Sequence, residues 1–121
     1  MPAYTTDDFT MHYEVHGEVH GEVHGEEHGG IPVILIMGIT APNTVWEAHV
    51  EVWSEHFHCI TPDNRGVGQS DKPPGDYSSA MMADDYANLM DGLGIEKAHV
   101  IGCSMGSIIG QQLALRHPEK V

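Results

Sequence analysis

Positive charge is scarce in this chain. Its 121 residues hold five lysines and arginines against 18 aspartates and glutamates, a formal net charge of −13. That balance excludes nucleic acid and anionic membrane surfaces as partners, because both are polyanions. Long apolar runs are also missing. No stretch of about 18 apolar residues occurs, which excludes a membrane-spanning helix. The opening residues, Met1-Pro2-Ala3-Tyr4-Thr5-Thr6-Asp7-Asp8, have neither a basic segment nor a long apolar one, so no secretory leader is expected. Cysteine is nearly absent. Cys59 and Cys103 both sit in strand-like surroundings, are expected to be buried, and are too few for a disulfide framework. They read as free thiols of a reducing, cytoplasmic compartment. No cofactor is expected. At this length, with 40% of residues apolar, the chain fits one domain with a modest core.

Histidine, by contrast, is abundant, with ten residues. A near-repeat of His-Gly-Glu-Val supplies several of them: His16 to Val19, His20 to Val23, then His24-Gly25-Glu26-Glu27-His28-Gly29-Gly30. A glycine every fourth residue opposes a helix by about 1 kcal/mol each. In an extended ribbon the period of four puts His and Glu on one face, Gly and Val on the other. The segment reads as an enlarged, mobile hairpin loop. The rival reading is a metal-binding tract of His16, His20, His24 and His28. Flexible, glycine-rich ligands are not preorganised, and nothing in the pattern fixes a coordination number; no metal site is therefore assigned.

The rest of the chain alternates strand and helix patterns. Residues 9–15 alternate apolar and polar side chains, as a half-exposed strand does. Residues 31–37, Ile-Pro-Val-Ile-Leu-Ile-Met, form a short, nearly unbroken apolar run, the mark of a buried central parallel strand. Residues 44–57 predict a helix with Trp46, Val50, Trp53 and Phe57 on one stripe. A short strand follows at 58–61, then a loop at 62–75 rich in Pro, Gly and Asp. Ser78 or Ser79 caps a helix that runs to Leu93, with Met82, Tyr86, Leu89 and Leu93 inward and Gly92 and Gly94 ending it. The adjacent Met81 and Met82 read as core packing. The order predicts an α/β fold, a mostly parallel sheet with helices on its faces.

Gly102-Cys103-Ser104-Met105-Gly106 carries the most chemistry. It spells G-x-S-x-G between a strand pattern, Ala98-His99-Val100-Ile101, and a helix pattern beginning at Ser107. A serine on so tight a turn is strained and exposed, and glycines on either side relieve the crowding. The bland alternative is a helix-capping serine. Two further segments argue against it: Pro32-Val33-Ile34-Leu35-Ile36-Met37-Gly38, and Asp63-Asn64-Arg65-Gly66-Val67-Gly68-Gln69-Ser70-Asp71, which spells D-x-R-G-x-G-x-S. Together, in this order, the three segments resemble the N-terminal half of the α/β-hydrolase fold family. The likeness is greatest to small esterases, enol-lactone hydrolases and cofactor-free haloperoxidase relatives. It covers the chain outside the His-Gly-Glu-Val expansion.

The resemblance implies that Ser104 is a nucleophile activated by a neighbouring base. It further implies that the backbone N–H groups of Met105 and Ile39 form an oxyanion hole, with Met37 standing where the family usually has histidine. The Asp63–Asp71 loop reads as structural, with Arg65 paired to an aspartate and no direct catalytic role. His99 reads as packed in its strand.

The family order is Ser, then Asp or Glu, then His. Every histidine but His117 precedes Ser104, and His117 lies about 20 Å away at the far end of the following helix at 1.5 Å per residue. The acid and the histidine are thus absent from the expected places. Residues 1–121 are expected to be a partial domain with an insertion at 16–30, lacking the lid and the later strands. The expected substrate of the complete enzyme is a small ester or lactone. An unprotected sheet edge at 98–101 predicts self-association of the isolated chain. A second reading is a non-enzymatic half-domain with an acidic, His-rich, metal-binding loop.

Overall fold

The alternating pattern near the N-terminus and the unbroken apolar run near residue 34 make two kinds of strand. A computed structural model describes residues 2–6, 9–17 and 30–121. Among these residues lie five strands: β1 (Ala3–Thr5), β2 (Thr10–His16), β3 (Val33–Ile36), β4 (Cys59–Pro62) and β5 (His99–Gly102). They form one sheet in the order β1-β2-β4-β3-β5. The sheet is mixed. β1 with β2 and β2 with β4 run antiparallel, while β3 runs parallel to both β4 and β5. In the parallel part Ile34 lies beside Ile60 and Val100, and Ile36 beside Gly102.

β3 lies between β4 and β5, and all four of its residues are buried. Successive side chains of a strand point to opposite faces. Ile34 and Ile36 therefore join Met82, Tyr86, Leu89, Met90, Ile109 and Leu113 on one face of the sheet. Val33 and Leu35 join Met37, Trp46, Val50 and Cys59 on the other. A strand that serves two cores has no polar face to show, which is why its sequence does not alternate.

Among the described residues, three helices cover the sheet: α1 (Glu47–Trp53), α2 (Ser79–Leu93) and α3 (Met105–Arg116). Short 3-10 turns span Asn43–Trp46 and Pro118–Lys120. Ser78 caps α2 by accepting a hydrogen bond from the Met81 N–H at 3.1 Å, and Gly94 ends it in the left-handed conformation at φ 71°. None of the described helices is long and apolar enough to cross a membrane.

Several local expectations shift. The helix expected over 44–57 divides into a 3-10 turn and the shorter α1, because the chain must reverse into β4. Phe57 then leaves the buried stripe and is exposed, with its N–H held by the Trp53 carbonyl at 2.8 Å. Met82 is buried, whereas Met81 is exposed. Neighbours on a helix point about 100° apart, so only one of them can face the core. Gly92 lies inside α2, and Gly94 alone ends it. His99 is exposed rather than packed, and so is Cys103, while Cys59 is buried. Burial pushes the Cys59 thiol pKa up. β1 has no apolar period of its own. Only its pairing with β2, Ala3 opposite His12, makes it a strand.

The loop after β4 is fastened to α2 by a buried ion pair. Arg65 donates to both carboxylate oxygens of Asp85, at 2.9 and 2.8 Å. Its guanidinium also lies 4.4 Å from the centroid of the Phe9 ring. The two side chains are only 8% and 6% exposed, so water cannot screen either charge. Arg65→Met keeps much of the volume and removes both of these charged hydrogen bonds from the buried Asp85 carboxylate. The expected loss is about 3–5 kcal/mol, read as a lower urea midpoint. A loss below about 1 kcal/mol would place this pair with weak surface contacts instead.

At the C-terminal end of α3, Arg116 donates to both oxygens of Asp84 at 3.0 and 2.8 Å, and His117 reaches the same carboxylate at 2.9 Å. Hydrogen bonding from Arg116 holds the Asp84 carboxyl below its ordinary pKa. Lys120 pairs with Asp91.

Candidate active site

β5 ends at Gly102 and α3 begins at Met105, leaving two residues for the turn between them. The Cys103 N–H donates to the Ile36 carbonyl at 3.0 Å and ties the turn to β3. Ser104 is then forced to φ 55° and ψ −123°, a conformation that a residue with a Cβ rarely adopts. Its carbonyl accepts from the Ser107 N–H at 2.9 Å and from the Ser107 hydroxyl at 2.7 Å. These bonds hold the strained residue in place.

The two flanking glycines have a steric cause. A Cβ on Gly102 would collide with the Gly106 carbonyl. A Cβ on Gly106 would collide with the Ile36 carbonyl. The first turn of α3 rides directly on the ends of β5 and β3, and only glycine permits that approach.

Ser104 is exposed, and its side chain does not cap α3. No histidine or carboxylate among the described residues hydrogen-bonds to its hydroxyl. His117 is at the opposite end of α3, engaged by Asp84. The helix start leaves N–H groups without intrahelical partners, Met105 first among them, at the positive end of the helix dipole.

The loop after β3 meets this turn. A Cβ built on Gly38 would lie 3.2 Å from the Ser104 Cβ and 3.6 Å from the Met105 nitrogen. Gly38 therefore packs on the serine turn, and Ile39, the next residue, is 71% exposed. Thr40 follows with φ 59°, a second strained residue. Ser104, Met105 and the Gly38–Ile39 segment thus gather at the carboxyl ends of β3 and β5, where ligands of open parallel sheets bind. Two clefts, about 820 and 530 Å³, share Gly94, Ile95, Glu96 and Lys97; neither is lined by these residues.

Behind this cluster lies a buried polar framework built on the Asp63–Asp71 loop, which the sequence marked as structural without showing its partners. Asp63 accepts from the Asn43 N–H at 2.6 Å and from the Gln69 N–H at 3.0 Å. Ser70 donates to the Asp63 carbonyl at 2.7 Å and accepts from the His12 N–H at 2.9 Å. Asn64 donates to the Met37 carbonyl at 2.8 Å, and the Tyr86 hydroxyl donates to Asn64 at 2.5 Å. Burial first, then the charges of Asp85 and Asp63, push the Tyr86 phenol well above its ordinary pKa. The contacts of Asp63 with Asn43, of Asn64 with Met37 and of Tyr86 with Asn64 join residues 20 to 27 apart in sequence, beyond the reach of any local pattern. The available signal was the D-x-R-G-x-G-x-S spelling of residues 63–70, read as a structural loop.

Among the described residues, no group of three or more His, Cys, Asp or Glu could hold a metal ion. His20, His24 and His28 of the expected metal tract lie outside the described residues.

Comparison with known proteins places these observations. Residues 31–121 match the model of the alpha/beta hydrolase fold family. A protein named as a carbamate hydrolase, RutD, of Caulobacter segnis is 39% identical over 91 residues, 74% of this chain and 34% of the relative. Its counterpart in Azorhizobium caulinodans is 34% identical over 121 residues, covering 100% of this chain and 42% of the relative. Among solved structures, the enol-lactonase from Burkholderia xenovorans LB400 superposes with a TM-score of 0.85 at 31% identity, over 99% of this chain and 44% of that one. The chain spans roughly a third to under half the length of these relatives.

Proposed function

The chain belongs to the α/β hydrolase fold family, and from that premise we propose that Ser104 is the nucleophile of an enzyme that cleaves small carboxylic esters, lactones or carbamates. The observation that carries the proposal is the forced backbone of Ser104 at the start of α3, with the Gly38 backbone packed against it. The hydroxyl oxygen attacks the substrate carbonyl carbon while a base takes its proton. The negative charge that develops on the carbonyl oxygen is met by the N–H groups of Met105 and Ile39. The C–O bond breaks, the leaving oxygen recovers the proton, and water then releases the acyl group from Ser104.

The base and its orienting acid come from outside these 121 residues in this reading. Residues 1–121 are the N-terminal part of one domain, residues 16–30 are an insertion, and the lid and later strands belong to the remainder. β5 pairs with β3 alone among the described residues, and Ile101 on it is 40% exposed. A following strand would cover that edge; without it, the same edge supports self-association. The relatives named for carbamate and enol-lactone chemistry support a small carbonyl compound as the substrate class.

The test compares the 121-residue chain with a fusion. The fusion joins the chain to the part of the Caulobacter segnis relative that follows its matched segment. p-Nitrophenyl acetate hydrolysis is followed for both. Saturable turnover is expected from the fusion alone. The isolated chain is expected to fall short by at least about 10³-fold, the scale on which a missing base is felt. Saturable turnover by the isolated chain would contradict the proposal.

A further inference from the structure

We propose that Asn64 is a positioning residue for the site, clamping the loop that carries Ile39. The proposal rests on the reading of Ile39 as an oxyanion donor and adds what aims that donor. Asn64 is 1% exposed and Tyr86 fully buried, so neither can exchange its partners for water. The Tyr86 hydroxyl donates to the Asn64 side-chain oxygen at 2.5 Å, which turns the Asn64 amide nitrogen toward the Met37 carbonyl, 2.8 Å away. The raised phenol pKa keeps Tyr86 protonated and able to donate. Gly106 lies near the same carbonyl, since a Cβ there would stand 2.9 Å from the Met37 oxygen. The Met37–Gly38 peptide plane is therefore fixed just before the chain passes over Ser104.

Asp63 acts at the other end. It accepts the Asn43 N–H at 2.6 Å, and the Asn43 side chain donates to the Thr61 carbonyl at 2.7 Å. Two consecutive residues thus grip both ends of the 37–43 loop. Between those grips the loop has only one weak internal bond, Ala41 N–H to Gly38 carbonyl at 3.4 Å, and Thr40 sits at positive φ. With both ends pinned and little support inside, the direction of the Ile39 N–H follows from the pinned ends. Met37 has no side-chain donor with which to hold the loop itself.

Hydrogen–deuterium exchange read by mass spectrometry tests the clamp in the 121-residue chain, without need of turnover. Asn64→Ala and the gentler Tyr86→Phe are compared with the wild type. Exchange of the 37–45 segment is expected to rise roughly tenfold or more, with α2 and α3 unchanged, because local opening involves only the loop. In the fusion, Asn64→Ala is expected to lower kcat roughly tenfold with little change in KM, less than outright loss of an oxyanion donor. Adding Tyr86→Phe to Asn64→Ala should lower kcat no further, because Tyr86 acts only through Asn64. Equal exchange in wild type and variants, or exchange that rises as much in α2 and α3, overturns the proposal. So does an Asn64→Ala fusion with wild-type kcat. Ser104→Ala in the same fusion tests the nucleophile separately, so failure of the clamp and failure of the underlying reading are distinguishable.

Discussion

Ser104→Ala in the fused polypeptide is expected to lower kcat by about 10⁴–10⁶, the range seen when a catalytic serine is removed. The cause is chemical: without the hydroxyl no acyl-enzyme forms, and only binding and the two N–H donors remain. The substitution removes only the hydroxyl oxygen of an exposed side chain and keeps the Cβ, so the backbone at φ 55° is no more strained than before, and the fold is expected to persist. Circular dichroism and the melting temperature should match those of the parent fusion. KM should change little, because the hydroxyl acts in the transition state rather than in binding. A variant that keeps more than about a tenth of the parent kcat would show that another group attacks the substrate.

Gly106→Val is expected to cost at least about 4–5 kcal/mol, the top of the range for single substitutions. The β-carbon would run into the Ile36 carbonyl, which is backbone and cannot swing away. Ile36 lies in β3, buried on every side and paired to β5. Relief would require α3 to lift from the sheet, uncovering Ile109 and Leu113, both fully buried. Since marginal domains are stable by only about 5–15 kcal/mol, the variant should lose its cooperative urea transition. Gln111→Val, on the exposed face of the same helix, should keep it. A cooperative transition in Gly106→Val close to that of the parent would mean that α3 does not sit on β3 as described.

The serine turn was legible in the sequence because its cause is local. Gly102 and Gly106 are two residues either side of Ser104, and each is glycine for a contact made within the same strand–turn–helix unit or its immediate neighbour strand. β3 was legible for a related reason: a strand buried on both faces has no polar alternation to hide it. The division of 44–57 was not legible. Trp46, Val50 and Trp53 do follow a helical stripe, but nothing in that spacing says that the chain must bend at Ser54 to enter β4. Cys103 looked strand-like, yet the turn aims it outward, since Ile36 takes its N–H and Ser104 follows at positive φ. The buried hydrogen bonds of Asn43, Asn64 and Tyr86 were the least legible, although the helical stripe did place Tyr86 inward. Each of these residues is polar, each is nearly or fully buried, and each has partners from a different element. Such residues are recognised only when the fold has brought those elements together. The His-Gly-Glu-Val expansion between residues 18 and 29 lies outside the described residues, and its reading as a passive loop stays an expectation of the sequence.

Ser104 is expected to become a nucleophile once the rest of the domain is supplied. Intact-mass spectrometry with peptide mapping, after treatment with a fluorophosphonate, reads it directly. The fusion should gain one covalent adduct, mapped to Ser104 and absent from Ser104→Ala, while the 121-residue chain alone gains none. A folded fusion that stays unlabelled, or is labelled at another serine, would contradict the account.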